Sequence, residues 1–170
     1  LGLFELNMNY SDVEKNVEIP ENQKIAQKIA VQSITLVKDN NSSIPIKAER
    51  INKLCHLILS MDENANTQLS PFSGRIKYLH GNAKNVFLNY ELTPLLIKET
   101  INSLKAHDYV IVSLMVRIAM NKGESTIDPS HLSLLKQMKK NGIEFTVVSF
   151  GSPYLNSYDF MDTYLCAYGY

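Results

Sequence analysis

Neither sign of charge dominates this chain: Lys plus Arg and Asp plus Glu each number 17, leaving a formal net charge of zero. Nucleic-acid-binding proteins carry a basic excess or a clustered basic face, and the balance argues against that class. The one adjacent basic pair, Lys139-Lys140, falls near the end of an expected helix, where a cation complements the helix dipole. Cysteine is scarce. Cys55 and Cys166 each sit inside an apolar run with no Cys-x-x-Cys spacing, so they read as buried thiols rather than as a zinc or redox pair. No apolar run approaches the ~20 residues needed to span a bilayer.

Several chemical signatures are missing as well. The turn after Leu59 reads Ser60-Met-Asp-Glu-Asn-Ala65 and holds no glycine, which argues against a dinucleotide site there. No P-loop pattern occurs. Asn64, Asn66 and Thr67 could donate hydrogen bonds to a flavin phosphate at that turn, but their spacing is loose. No G-x-S-x-G elbow marks a nucleophilic serine. The four histidines, His56, His80, His107 and His131, form no H-x-x-x-H pair, so local spacing builds no metal site. His56 lies inside a strand and is expected in the core or at an edge, whereas His107 and His131 flank helices and are expected at the surface or as caps. No cofactor is called for.

What remains is ordered. In 170 residues, 45% hydrophobic and 20% charged, there is material for one domain with a real core. The start, Leu1-Gly2-Leu3-Phe4, has no initiator Met, basic segment or long apolar core and does not read as a signal peptide. Residues 1–20 are expected to form an extended linker, with the domain over 21–170. Pro20-Glu21 opens a helix, and Ile25, Ala26, Ile29 and Ala30 mark one of its faces. Ser33 to Val37 turns to β-branched composition, Asp39 to Ser43 is turn chemistry, and Ile44-Pro45-Ile46 is a short extended piece.

Strands and helices then alternate. Strands are expected at Leu54 to Leu59, Asn85 to Tyr90, Tyr109 to Val116, Glu144 to Phe150 and Thr163 to Tyr168. Helices are expected at Leu69 to Leu79 (weakened by Pro71 and Gly74), Pro94 to Ala106, and Asp128-Pro129 to Lys140, closed by Asn141-Gly142. The nearly continuous apolar run of Tyr109 to Val116 implies burial on both faces and a parallel sheet. The fold class is therefore α/β: a three-layer sandwich with a mostly parallel, doubly wound sheet of the flavodoxin or Rossmann kind. The sheet is expected to be cut short at the C-terminus, with an apolar face of its last strand left exposed. In open α/β sheets, ligands gather where loops leave the carboxyl ends of strands. Asn121-Lys-Gly-Glu-Ser-Thr126 follows the strongest strand, which makes Arg117, Lys122 and Glu124 the candidates for touching a ligand; the bland alternative is a solvated loop.

Two motifs carry a family resemblance. Gln23 to Asn40 followed by Ile44-Pro45-Ile46 resembles the opening of the C-terminal domain of family 3 glycoside hydrolases. Val147-Val-Ser-Phe-Gly-Ser-Pro-Tyr154 with Ala167-Tyr168 is similar to that family's late Phe-Gly-Asn-Pro-Tyr and Ala-Tyr strands, and the Phe-Gly-Ser-Pro-Tyr form leans to its β-N-acetylglucosaminidase branch over its β-glucosidase branch. Leu1 to Phe4 is similar to the linker that leaves the family's barrel. The resemblance implies retaining hydrolysis of β-linked sugars, with the nucleophilic Asp on an N-terminal (β/α)8 barrel of the same polypeptide, and hence no catalytic nucleophile in this chain. It implies a barrel-borne acid/base in the first branch and a Glu from this domain in the second, for which Glu124 and Glu63 are candidates by loop position. It leans towards a secreted or periplasmic setting. Two other readings stay open: a non-catalytic carbohydrate-binding or interaction module, and an unrelated flavodoxin-like regulatory or cofactor domain.

Overall fold

A computed structural model describes residues 19–116, 127–152, 155 and 158–169. The chain divides into two compact units, Leu1–Ser33 and Ile34–Tyr170. Within the first, helix α1 spans Pro20–Ser33, opening at the proline and acid that announce it in the sequence.

The second unit is built on a six-stranded sheet. Its strands are β1 (Thr35–Asp39), β2 (Leu54–Leu59), β3 (Lys84–Leu88), β4 (Tyr109–Val116), β5 (Phe145–Gly151) and β6 (Thr163–Cys166), in the spatial order β1-β6-β5-β4-β2-β3. Only β1 runs antiparallel; β3, β2, β4, β5 and β6 are all parallel neighbours. The connecting helices are the short α2 (Ala65–Gln68), then α3 (Ser70–Leu79), α4 (Pro94–Leu104) and α5 (Pro129–Lys140). Numbered along the chain, the parallel strands lie in the flavodoxin-like order 2-1-3-4-5. The crossover from β2 to β3 goes one way, and the next crosses back over β2 to β4. The doubly wound fold expected from the sequence is the fold observed.

Period-two alternation decides what each strand presents to each layer. From β2, Cys55, Leu57 and Leu59 join Val110, Val112, Leu114 and Val116 of β4 in the cluster covered by Ile101 and Leu104 of α4 and Leu134, Leu135 and Met138 of α5. From the opposite face, Leu54 and Ile58 join Ile111 and Met115 under Ala65 of α2, Ile76 of α3 and Leu69 between the two helices. All eight residues of β4 are buried. Burying a leucine fully contributes roughly 1.5–3 kcal/mol.

Local chemistry sets the helix boundaries. Thr93 accepts the Leu96 amide at 3.3 Å to start α4, and Asp128 accepts the Ser130 amide at 2.9 Å to start α5. At the end of α5, Gly142 is left-handed (φ 68°), its amide reaches Lys139 O at 3.1 Å, and the Ile143 amide reaches Met138 O at 3.1 Å. That is a Schellman closure. Pro71 does not weaken α3, because it occupies the first turn, where the missing amide has no helical partner to lose. Strand β3 ends two residues before the expected Tyr90, and β6 two before Tyr168, whose φ is 62°.

The last strand is not left at a sheet edge. Strand β1 pairs with it from Thr35↔Cys166 to Asp39↔Thr163, and Thr163, Tyr164 and Cys166 are buried. Asp39 locks the pairing. Its carboxylate accepts the Ser43 amide at 2.8 Å, the Ile44 amide at 3.1 Å and the Thr163 hydroxyl at 3.1 Å, and the amide bonds hold it below the usual carboxylate range. Cys55 and Cys166 are free and buried, as expected. Two strands lie between theirs, a separation of about 14 Å that no disulfide spans.

Gly151 ends β5 with φ 92°, and a Cβ there would stand 2.6 Å from the Val116 carbonyl oxygen. Gly151→Ala is therefore expected to cost about 1–3 kcal/mol, read as a lower urea midpoint at unchanged slope. An unchanged midpoint would contradict the close approach. Asp39 supplies a second test. A carboxylate with a lowered folded pKa adds stability above its unfolded value that is lost as pH falls through the folded one. Asp39→Asn should thus destabilise the protein at neutral pH and flatten its acid limb in pH-dependent melts.

Candidate functional site

The switch point lies between β2 and β4, so the candidate crevice is the carboxyl edge of the sheet there. Arg117, Lys122 and Glu124 lie outside the described residues, as do Pro153 and Tyr154. Among the described residues, the crevice is formed by the loop after β2, the loop after β3, the first turn of α5 and the end of β5.

These segments are tied to the strands by buried polar groups. The Ser60 hydroxyl donates to Met115 O at 3.0 Å, and its amide donates to Leu88 O at 3.2 Å, so one residue joins the ends of β4, β2 and β3. The same hydroxyl accepts the Asp62 amide at 3.1 Å, and Asp62 Oδ1 accepts the Asn64 amide at 2.9 Å. The loop is thus coiled into side-chain turns that lead into α2. Glu63 is exposed on it.

The loop after β3 is clipped to α5. Ser130 Oγ accepts the Leu92 amide at 2.8 Å and donates to Asp128, while His131 Nε2–H donates to Tyr90 O at 3.1 Å. His131 is 1% exposed, so the expectation of a surface or capping residue fails for it. The first turn of α5 packs beneath the Tyr90–Leu92 loop, which covers the ring. Burial holds its pKa below the ordinary histidine value, against the pull of the Asp128 carboxylate. His107, in contrast, is half-buried beside Ser103 O at the end of α4. At the end of β5, Ser149 Oγ donates to Ser152 O at 3.1 Å and the Ser152 amide donates to Val116 O at 3.1 Å.

His56 is in the core, fully buried, with Nε2 2.7 Å from Ser113 Oγ and Nδ1 3.2 Å from Ser73 Oγ. Burial lowers its pKa to about 4 and raises that of the Cys55 thiol to about 11. Neither reaches solvent, so the Ser-His contacts are packing and not a nucleophile with its base. Among the described residues, no group of three His, Cys, Asp or Glu side chains could hold a metal ion, and no helix is long and apolar enough to cross a membrane. The described hollows lie elsewhere. One of about 460 Å³ runs between α4 and α5 past Ile97, Lys98, Ser133 and Gln137; another of about 360 Å³ opens at the amino edge beside Tyr109, Lys139 and Asp162.

No protein-family model matches the sequence, and neither does any curated protein. Solved structures do match. A β-glucosidase from Listeria innocua in complex with isofagomine superposes with a TM-score of 0.70 at 15% identity, over 99% of this chain and 26% of that one. A fungal multi-domain family 3 β-N-acetylglucosaminidase, described as containing a glucosamine N-acetyltransferase region, gives 0.69 at 18% identity, over 95% and 18%. A family 3 β-N-acetylglucosaminidase from Paenibacillus sp. gives 0.62 at 15% identity, over 90% and 28%.

The chain has the fold of one part of family 3 glycoside hydrolases. It spans between about a fifth and about a quarter of the length of those structures. At these identities the likeness concerns the fold alone, and both the glucosidase and the N-acetylglucosaminidase branches share it. The described part of the crevice offers backbone polar groups and an exposed carboxylate, Glu63. The clip of Ser130 and His131 on the Tyr90–Leu92 segment was not read from the sequence; its one signal was the Asp128-Pro129 cap just upstream.

That cap is a direct test of the clip. Asp128→Ala removes an acceptor that serves the Ser130 and His131 amides as well as the Ser130 hydroxyl. It should cost about 1 kcal/mol in chemical denaturation and speed amide exchange at Leu92 more than in β4.

Proposed function

We propose that this chain is the C-terminal α/β domain of a family 3 glycoside hydrolase that acts on β-linked sugars with retention. In this reading residues 1–20 are the linker, and the domain packs on an N-terminal (β/α)8 barrel that carries the nucleophile. Its switch-point edge forms one wall of the sugar site, where Arg117, Lys122 and Glu124 belong to the substrate-side loop. The observation that carries the reading is the match of almost the whole chain to a minor part of several glycosidases. The Phe150-Gly-Ser-Pro-Tyr154 form favours an N-acetylglucosaminidase over a glucosidase.

A carbohydrate-binding module is the second reading, favoured by the lack of a nucleophile-base pair among the described residues. The two readings separate in one experiment. The full-length polypeptide should hydrolyse an aryl N-acetyl-β-glucosaminide, in preference to an aryl β-glucoside, and this chain alone should hydrolyse neither. Turnover by the chain alone would overturn the proposal, and micromolar sugar binding without turnover by either form would transfer support to the binding module. In the favoured branch the acid/base lies on the barrel, so Glu63→Gln and Glu124→Gln should each keep kcat within about tenfold in the full-length enzyme. A loss of about 10²–10⁴-fold in one of them would assign it the acid/base role and move the protein to the glucosidase branch.

A further inference from the structure

Among the described residues, His56 is a histidine sealed between the sheet and the α2–α3 layer that the proposed function does not use. Its ring spans that boundary, hydrogen-bonded to Ser113 on β4 and to Ser73 on α3. Phe72 of α3 closes over it edge-on, with centroids 5.5 Å apart, and Phe72 packs in turn on Phe150 at 5.2 Å. The groups facing the ring are Ser73 and Phe72 from α3, Ser113 from β4 and Asn85 from β3. Leu54 and Ile58 flank it on its own strand. None of them carries a charge, so among the described residues an imidazolium formed there would have no counter-ion, and the ring is closed off from solvent. The neutral ring suits the site well, because each serine hydroxyl can donate to one nitrogen or accept from the other.

The layer that rests on this contact has the shorter helices of the two. It consists of a four-residue helix and a ten-residue helix, seated through Ala65, Leu69 and Ile76. On the other face, α4 and α5 bury Leu104, Leu134, Leu135 and Met138 at 1% exposure or less. Helix α2 follows directly from the Ser60–Asn64 loop, which lines the switch-point crevice.

We propose that His56 is an acid-sensitive latch: it holds the α2–α3 layer on the sheet only while its ring is neutral, and acidification frees that layer, and the crevice loop joined to it, before the central strands separate. The sign follows from the site. The ring is harder to protonate folded than unfolded, so the stability it contributes is complete above the unfolded pKa near 6.5 and is lost as pH falls towards about 4. His131 titrates in the same direction but lies on the opposite layer, against α5 and the Tyr90 carbonyl, so the two effects can be separated by position.

Native-state hydrogen exchange on the full chain tests the latch. After correction for intrinsic rates, opening at the α3 amides should rise on the order of 100-fold between pH 7 and pH 4. The amides of β4 should rise much less. His56→Gln, which keeps an amide donor and acceptor for the two serines but cannot charge, should abolish the pH dependence at α3 and leave that at α5 intact. Where that variant does not fold, the wild type decides alone, since loss of α3 protection at a higher pH than loss of β4 protection supports the latch. Simultaneous loss of both, an unaltered α3 profile in His56→Gln, or a His56 ring titrating near 6.5 by NMR in the folded protein would overturn it.

Discussion

The two-sided burial of β4 is the constraint on which the rest of the molecule depends. A strand with eight consecutive buried residues cannot sit at an edge or present one face to water. It needs a strand on either side and a helical layer above and below, and parallel neighbours with helical crossovers supply all four. Once β2 and β5 take the flanking places, the right-handed crossover rule leaves little choice. The connection from β3 must return over β2 to reach β4, and that return creates the switch point. The crevice is thus a consequence of how the core closes.

The carboxyl edge is held by polar groups placed where they cannot be left unsatisfied. Ser60 joins the ends of three strands, Ser130 and His131 join the loop after β3 to the start of α5, and Ser149 with Ser152 fixes the exit of β5 against Val116. Each removes a buried donor or acceptor that would otherwise cost roughly 1–3 kcal/mol. An edge built in this way is preorganised by the sheet itself, which suits the proposed role of shaping a site.

Much of this was legible in the sequence, for definite reasons. Tyr109 to Val116 announces itself because a strand buried on both faces has no polar positions to blur it. Helix α5 is bounded by Asp128-Pro129 and Asn141-Gly142, whose side chains and backbone freedom act within a turn of where they stand. The antiparallel seat of β1 was hidden, since pairing with β6 depends on a contact more than a hundred residues away in sequence. Burial of His131 was hidden for the same reason: its cover is the Tyr90 segment, and no local period reports it. Helix α2, four residues long, is too short to show a period. The positions assigned to Arg117, Lys122 and Glu124 follow from loop order and lie outside the described residues.

Under the proposed function, the carboxyl edge, rather than a helical face or the amino edge, looks onto a sugar site shared with a barrel. Comparing amide exchange of this chain alone and within the full-length polypeptide tests it most directly. Added protection is expected to concentrate at residues 60–64, 89–92 and 151–152 and to deepen further when a tight-binding sugar analogue is present. Added protection confined to the amino edge around Tyr109, Gly142 and Phe145, or none at the carboxyl edge with the analogue bound, would contradict it.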